Sequence, residues 1–263
     1  MITKKYNKKI ILNNIDFKIN TGCSLIVGKN GSGKTTLLKI LSGLIVRFDG
    51  DYKYNNNASL LLDANCLFSL KSGEENLRFF LSKEEYRSSL EWSLFFGINM
   101  YLQKKVKTYS NGMKKKLMLV IAISKRKDIL LLDEPTTSLD YEGIILLKEA
   151  LIKIKKSKKI IIASHDSSML DFSCIDFLYI LKDKELFEKK FDSNFLLYKI
   201  KTKNAINFNF QYARENDYYI FKVFNDQEDI FFEKLSKFVP IEISKISSTD
   251  FLFKEVFENE KNV

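Results

Sequence analysis

Several short stretches of this 263-residue chain carry side chains whose types and spacing could do chemistry together. The first is Gly28-Lys29-Asn30-Gly31-Ser32-Gly33-Lys34-Thr35-Thr36, spaced as GxxxxGK[ST]. Glycines let backbone N–H groups turn inward around an anion. Lys34 adds a point charge for β- and γ-phosphates, and the Thr35 hydroxyl can ligate Mg²⁺. The second is Asp133-Glu134, which follows the apolar run 129–132. Asp133 suits Mg²⁺ through water, because hard cations take oxygen ligands. Glu134 is placed to polarise an attacking water as general base. The third is Tyr109-Ser110-Asn111-Gly112-Met113-Lys114, ahead of a helical run with Leu117, Val120, Ile121 and Ser124. A Ser hydroxyl and glycine-borne N–H groups at a helix start make an anion site, although Ser-x-Gly serves as readily as an ordinary N-cap. Thr137-Ser138-Leu139-Asp140 and the only histidine, His165, complete the set.

Elements must hold these groups in place. Residues 24–27 read as a buried strand before the phosphate loop, and Leu37, Leu38, Leu41 and Leu44 recur at helical spacing after it. A strand–loop–helix of this kind puts phosphates at a helix N-terminus, where the dipole favours negative charge. Residues 8–19 alternate as strands, and 60–62 form another short buried run. Residues 74–98, with Leu77, Phe80, Leu81, Leu90, Leu94 and Phe95, read as an inserted, aromatic-rich helical block. The run 129–132 suits a central parallel strand. Ile144, Leu147, Leu151 and Ile154 follow at helical spacing, and 159–163 is the next strand, implying a right-handed crossover. Both Asp133-Glu134 and His165 then fall at carboxyl ends of parallel strands, where α/β sheets bind ligands. Residues 176–181 read as a further strand. Past Lys203 the pattern shifts to strands at 206–212 and 217–224, a helix at 226–238, a strand at 241–246 and a last helix capped near Ser248-Thr249. That ββαβα order is enough for a small separate module.

Composition is ordinary for a globular chain, at 45% hydrophobic and 29% charged residues. No apolar run approaches the roughly 18–20 residues a membrane span needs, and no secretory leader is visible. Cys23, Cys66 and Cys174 are scattered, which argues against a disulfide framework or zinc site and for small buried thiols in a reducing compartment. The net charge of +10 could meet nucleic acid, anionic lipid or nucleotide. Lys, Asn, Ile, Phe and Tyr are abundant throughout, as coding bias would produce, so nucleic acid is not expected as a partner. The run Lys114-Lys115-Lys116 reads as a solvated helix face.

Over roughly residues 1–200 the order of these motifs resembles the ATP-binding cassette (ABC) ATPase family, with Walker A, signature, Walker B, D-loop and switch histidine at family-like spacing. The resemblance implies an α/β P-loop cassette: a parallel-sheet core, an antiparallel β subdomain and a helical subdomain over about 64–125. The cassette would span 1–202, with an α+β module at 203–263. ATP and Mg²⁺ are implied as cofactors. Gly28 through Thr36 would hold the nucleotide, Thr35 and Asp133 the metal, and Glu134 with His165 and Lys34 would carry the catalysis. Ser110 and Gly112 look like the signature contacts, Asp140 like the D-loop aspartate, and Tyr6 stands where the family often stacks an aromatic on adenine. Asp63 stands where the lid glutamine is usual, and the signature reads SNGMK rather than SGGQ. A Ser-x-Gly-Met form and the C-terminal module resemble export-type cassettes, such as those of peptide-antibiotic exporters. The implied assembly is a head-to-tail homodimer or heterodimer of cassettes on a separate permease, peripheral on the cytoplasmic face of the cell membrane. A soluble cassette ATPase, such as one for metal-cluster assembly, is the alternative.

Overall fold

The computed structural model describes residues 1–52, 57–62, 66–165, 169, 174–189, 195–202, 210, 212–215, 217–224, 227–236, 240 and 242–246. The chain divides into two compact units, Met1–Lys189 and Lys190–Val263.

The first unit opens on an antiparallel hairpin of β1 (Ile2–Tyr6) and β2 (Lys9–Ile15). Asn7 and Lys8 turn it with φ of 45° and 69°, the doubly left-handed turn that matches strand twist. The alternation over 8–19 corresponds to β2 alone. Strand β1 has too few apolar residues to announce itself, and 16–19 lie outside any strand. There follow β3 (Cys23–Val27), α1 (Lys34–Leu41), β4 (Ala58–Leu61), α2 (Gly73–Phe80), α3 (Lys83–Phe95), α4 (Asn111–Ser124), β5 (Ile129–Asp133), α5 (Tyr141–Ile154), β6 (Lys159–Ser164), β7 (Phe177–Lys182) and β8 (Glu185–Lys189). The main sheet runs β4-β5-β6-β3-β7-β8, parallel except for the β7–β8 hairpin. Interior strands are apolar throughout: every residue of β3 is buried. Edge strand β4 instead buries alternate residues, Ser59 and Leu61, so Leu60 and Leu62 of the 60–62 run are only half-buried. Residues of β2, α1, β5, β6 and β7 share one core with Leu12, Leu37, Leu131 and Ile161 fully or nearly buried. Helix α1 stops before Leu44, which is exposed: Gly43 N–H turns back to Ile40 O (3.0 Å) and Ile45 N–H to Lys39 O (3.0 Å).

The helical block is two helices rather than one. Each begins with a capping box, Ser72 with Glu75 and Ser82 with Glu85. Glu74 gathers Arg78, Tyr86 and Gln103 around one carboxylate. Helix α3 packs on α4 and buries Ser89 and Ser93, whose hydroxyls donate back to Tyr86 O and Ser89 O. Leu90 and Leu94 therefore face outward, contrary to the usual apolar-stripe reading. Past the end of α4, Lys158 Nζ donates to Ile123 O (3.0 Å) and to Lys125 O, satisfying carbonyls the helix leaves open. Cys23 and Cys174 are free and buried, whereas Cys66 is exposed, not buried as expected. Among the described residues no helix is long and apolar enough to cross a membrane.

The second unit contains β9 (Phe195–Lys201), β10 (Tyr212–Glu215), β11 (Tyr218–Phe224), α6 (Glu228–Leu235) and β12 (Glu242–Ile246). Its antiparallel sheet runs β10-β11-β9-β12. Tyr198, Ile200, Phe221, Val223, Phe231 and Leu235 form its core. The division between units lies N-terminal to the 202/203 boundary read from the sequence, because β9 pairs with β11 and β12. Of the strand expected at 206–212, only Phe210 and Tyr212 are described. The helix expected near Ser248-Thr249 lies outside the described residues.

Candidate functional site

Strand β6 lies between β5 and β3, all parallel, so their carboxyl ends come side by side. The phosphate loop follows β3, Asp133 and Glu134 stand at the end of β5, and Ser164 and His165 at the end of β6. Sequence-distant groups therefore meet at one sheet edge, where α/β folds bind ligands.

Gly33 sits at φ 109°, and a Cβ there would come within 2.9 Å of Leu12 and 3.1 Å of Ile11 on β2. Only glycine accepts both the conformation and the contact. As the N-cap of α1 it offers no side-chain acceptor, which leaves first-turn N–H groups for an anion. Lys34 is 5% exposed. Its ammonium donates to Gly28 O (2.7 Å) and Lys29 O (3.1 Å) and stands 3.7 Å from Glu134 Oε1. Burial pushes its pKa below the usual lysine range, while Glu134 and Asp133 oppose that shift.

The Thr35 hydroxyl donates to Asp133 Oδ2 at 2.7 Å. Burial raises the Asp133 pKa, and the Thr35 hydrogen bond opposes it. Its other oxygen, Oδ1, is buried with no hydrogen-bond partner among the described residues, and so is Ser32 Oγ in the loop. An orphaned carboxylate oxygen beside a threonine hydroxyl and a buried phosphate-loop hydroxyl fits a hard cation and an oxyanion. Among the described residues no group of three or more His, Cys, Asp or Glu is arranged for a metal. Mg²⁺ keeps waters and takes phosphate oxygens rather than an all-protein cage.

Glu134 adopts φ 46° and turns back over β6. Its N–H donates to Ala163 O (2.9 Å). Its carboxylate accepts from Ser164 Oγ (2.9 Å) and from the His165 N–H (3.1 and 3.3 Å), and lies 2.8 Å from His165 Nδ1. The base and the switch histidine expected from the sequence are thus in direct contact.

Ser110, Gly112 and Asp140 form a second cluster. Ser110 is exposed and caps α4, accepting from Met113 N–H at 3.2 Å. Gly112 lies against the Ser138 carbonyl, which an added Cβ would approach to 2.9 Å. Asp140 caps α5 through Gly143 N–H (2.8 Å) and pairs with Lys116 at 3.7 Å. The backbone hydrogen bond, reinforced by Lys116, holds the Asp140 carboxyl below the usual range. The lysine run is therefore not a solvated face. Lys115 is 6% exposed and its charge bears on Asp133, and Lys116 ties α4 to the start of α5.

Lys29, Asn30 and Gly31 are exposed at the loop's rim, and Thr36 is half-buried. Tyr6 is exposed at the β1–β2 hairpin, with Lys4 Nζ 4.6 Å from its ring centroid. Asp63 lies outside the described residues. Sequence reasoning missed Ser164 and read Lys116 as solvated. Ser164 carried a faint signal: a polar residue ending an apolar strand directly before the lone histidine.

Residues 12–137 match the family described as ABC transporter. A Methanocaldococcus jannaschii ABC transporter ATP-binding protein is 30% identical over 191 residues, covering 70% of this chain and 73% of its own. The Bacillus subtilis ABC transporter ATP-binding protein YybJ is 33% identical, covering 62% and 83%. The Streptococcus pyogenes lantibiotic transport ATP-binding protein SrtF is 29% identical, covering 73% and 90%. Among solved structures, the ATP-binding subunit of an ABC transporter superposes with a TM-score of 0.65 at 24% identity, covering 73% of this chain and 88% of that one. A dimeric post-hydrolysis ATP-binding cassette bound to ADP and Pi gives 0.61 at 23%, covering 72% and 94%.

Proposed function

The chain belongs to the ABC transporter family as one of its ATP-binding ATPase subunits, and we propose that it energises a separate membrane permease in the direction of export. The observation that carries the reading is the convergence of Lys34, Thr35, Asp133, Glu134 and His165 at the carboxyl ends of β3, β5 and β6. Lys34 and the N-terminus of α1 would hold the β- and γ-phosphates. Thr35 and Asp133 would hold Mg²⁺, which when bound supplies charge neutralisation at the phosphates. Glu134 would orient and deprotonate the attacking water, and His165 would fix the Glu134 carboxylate from beside it. Positioning and electrostatics supply most of such a reaction.

Two such chains would close head to tail, so that Ser110 and Gly112 of one meet the phosphate loop of the other. The exposure of Ser110 and the joining of signature helix to D-loop by Lys116 and Asp140 support this reading. The cluster Phe68, Phe79 and Phe80, with Phe79 66% exposed, borders a cleft of about 200 Å³ lined by Leu60, Leu61 and Met118. An exposed aromatic group beside an apolar cleft supports docking of a protein partner, here the permease. Relatives named for transport, SrtF among them, favour this over a soluble metal-cluster ATPase. We retain Tyr6 as the adenine-stacking residue and Asp63 as the lid residue, and expect Asp63→Gln to preserve or improve coupled activity.

Glu134→Gln is the decisive test. It should bind ATP, lose roughly 100-fold or more of its turnover, and accumulate as an ATP-bound dimer on size-exclusion chromatography. Near-normal turnover would remove Glu134 from the role of base. The permease is tested by fractionation: the chain should pellet with membranes only when its permease is co-expressed.

A further inference from the structure

Ser164 sits at the end of β6, fully buried, with its hydroxyl aimed at the catalytic carboxylate. We propose that Ser164 is a positioning residue for Glu134, setting the orientation from which that carboxylate takes a proton from water. The inference rests on the ATPase reading above and adds a residue to it.

A glutamate side chain rotates about three bonds, so a general base on one needs restraint. Here the restraint comes from one short stretch. Ala163 O holds the Glu134 backbone N–H at 2.9 Å, which fixes where the side chain starts. Its φ of 46° then sends the side chain back over β6. Ser164 Oγ donates to Oε2 at 2.9 Å, and the His165 N–H spans both oxygens at 3.1 and 3.3 Å. The remaining neighbours, Lys34 at 3.7 Å and His165 Nδ1 at 2.8 Å, both lie against Oε1. Oε2 is therefore held by Ser164, the His165 N–H straddles both oxygens, and Oε1 faces Lys34 and His165 Nδ1. Ser164 is carried by an interior strand whose backbone pairs on both sides, so its hydroxyl is a rigid donor.

Ser164→Ala removes one oxygen and leaves Lys34, Thr35 and Asp133 untouched. With the base loosened but the phosphate site intact, kcat for MgATP should fall roughly tenfold while KM stays within about twofold. The ATP-bound dimer should persist longer on size-exclusion chromatography, because slower hydrolysis delays its separation. In a Glu134→Gln background the same substitution should change residual turnover by less than about twofold, because the two residues act as one unit. Thermal melting of Ser164→Ala, measured alongside, reports its fold. An unchanged kcat, or an equal loss in the Glu134→Gln background, would overturn the role of Ser164 alone. A wild-type chain that does not hydrolyse MgATP would overturn the ATPase reading with it.

Discussion

Asp133 shows how single residues at this site trade stability for chemistry. Burial raises its pKa, so the ionised carboxylate costs folding free energy once pH rises above its unfolded value. That cost vanishes on protonation and is offset when a cation binds. Asp133→Asn should therefore melt no lower than wild type in plain buffer at pH 7. It should lose the MgATP-induced rise in melting temperature and roughly 100-fold of its hydrolysis. A melting temperature well below wild type would mean that the charge stabilises the fold instead, through Lys34 and Lys115. Asp133 was legible in the sequence because two carboxylates ending a buried strand form a local pattern. Its neighbour Thr35 was legible for the same reason. Ser164 carried only a faint local mark, because its role depends on the long-range pairing that lays β6 beside β5. Lys116 misled for a related reason: three adjacent lysines suggest a wet face, yet helical geometry sends successive residues to different sides.

At the scale of elements, caps mark helix starts, and reading 74–98 as one block passes over two of them, Ser72 with Glu75 and Ser82 with Glu85. Ser72 and Glu75 start α2 with a reciprocal pair of hydrogen bonds, at 2.7 Å to Ser72 N–H and 3.0 Å to Glu75 N–H. The Ser72 backbone N–H, with Lys71 adding to it, holds the Glu75 carboxyl at about 2 against an ordinary 4.5. A depressed carboxylate stabilises the fold above its unfolded value, and that contribution fades as pH falls through the window from 4.5 to about 2. Glu75→Gln, which keeps an acceptor but no charge, should flatten the acid titration of helicity in this window. Unchanged circular-dichroism titration curves would show that the α2 cap does not set the acid limit. Strand boundaries were harder to read. Edge strand β4 alternates burial and β1 is mostly polar, so neither carries the continuous apolar run that marked β3, β5 and β6. Helix α3 inverted the usual rule, burying serines that satisfy their own hydroxyls and exposing leucines.

For the whole molecule, the two units each have their own core, and this makes their energetics separable by mutation. Phe221 is fully buried in the second unit, 5.4 Å from Phe231 by ring centroids and across from Tyr198 on β9. The C-terminal module was legible as a change of pattern. Its central strand β9 was not, because Phe195–Lys201 is apolar enough to pass for a continuation of the cassette. Phe221→Ala should remove about 3–5 kcal/mol from a core of this kind, a large share of what a small unit possesses. Calorimetry of the full chain should then show one transition lowered or lost, while a second transition, the one that MgATP raises, stays within about 2 °C of wild type. Hydrolysis by the variant should remain near wild type, because Lys34, Asp133, Glu134 and His165 all belong to the first unit. A single transition that falls as a whole, with loss of the MgATP shift, would show instead that the module is part of the folding unit of the ATPase. Its role would then lie in the stability of the catalytic cassette rather than beside it.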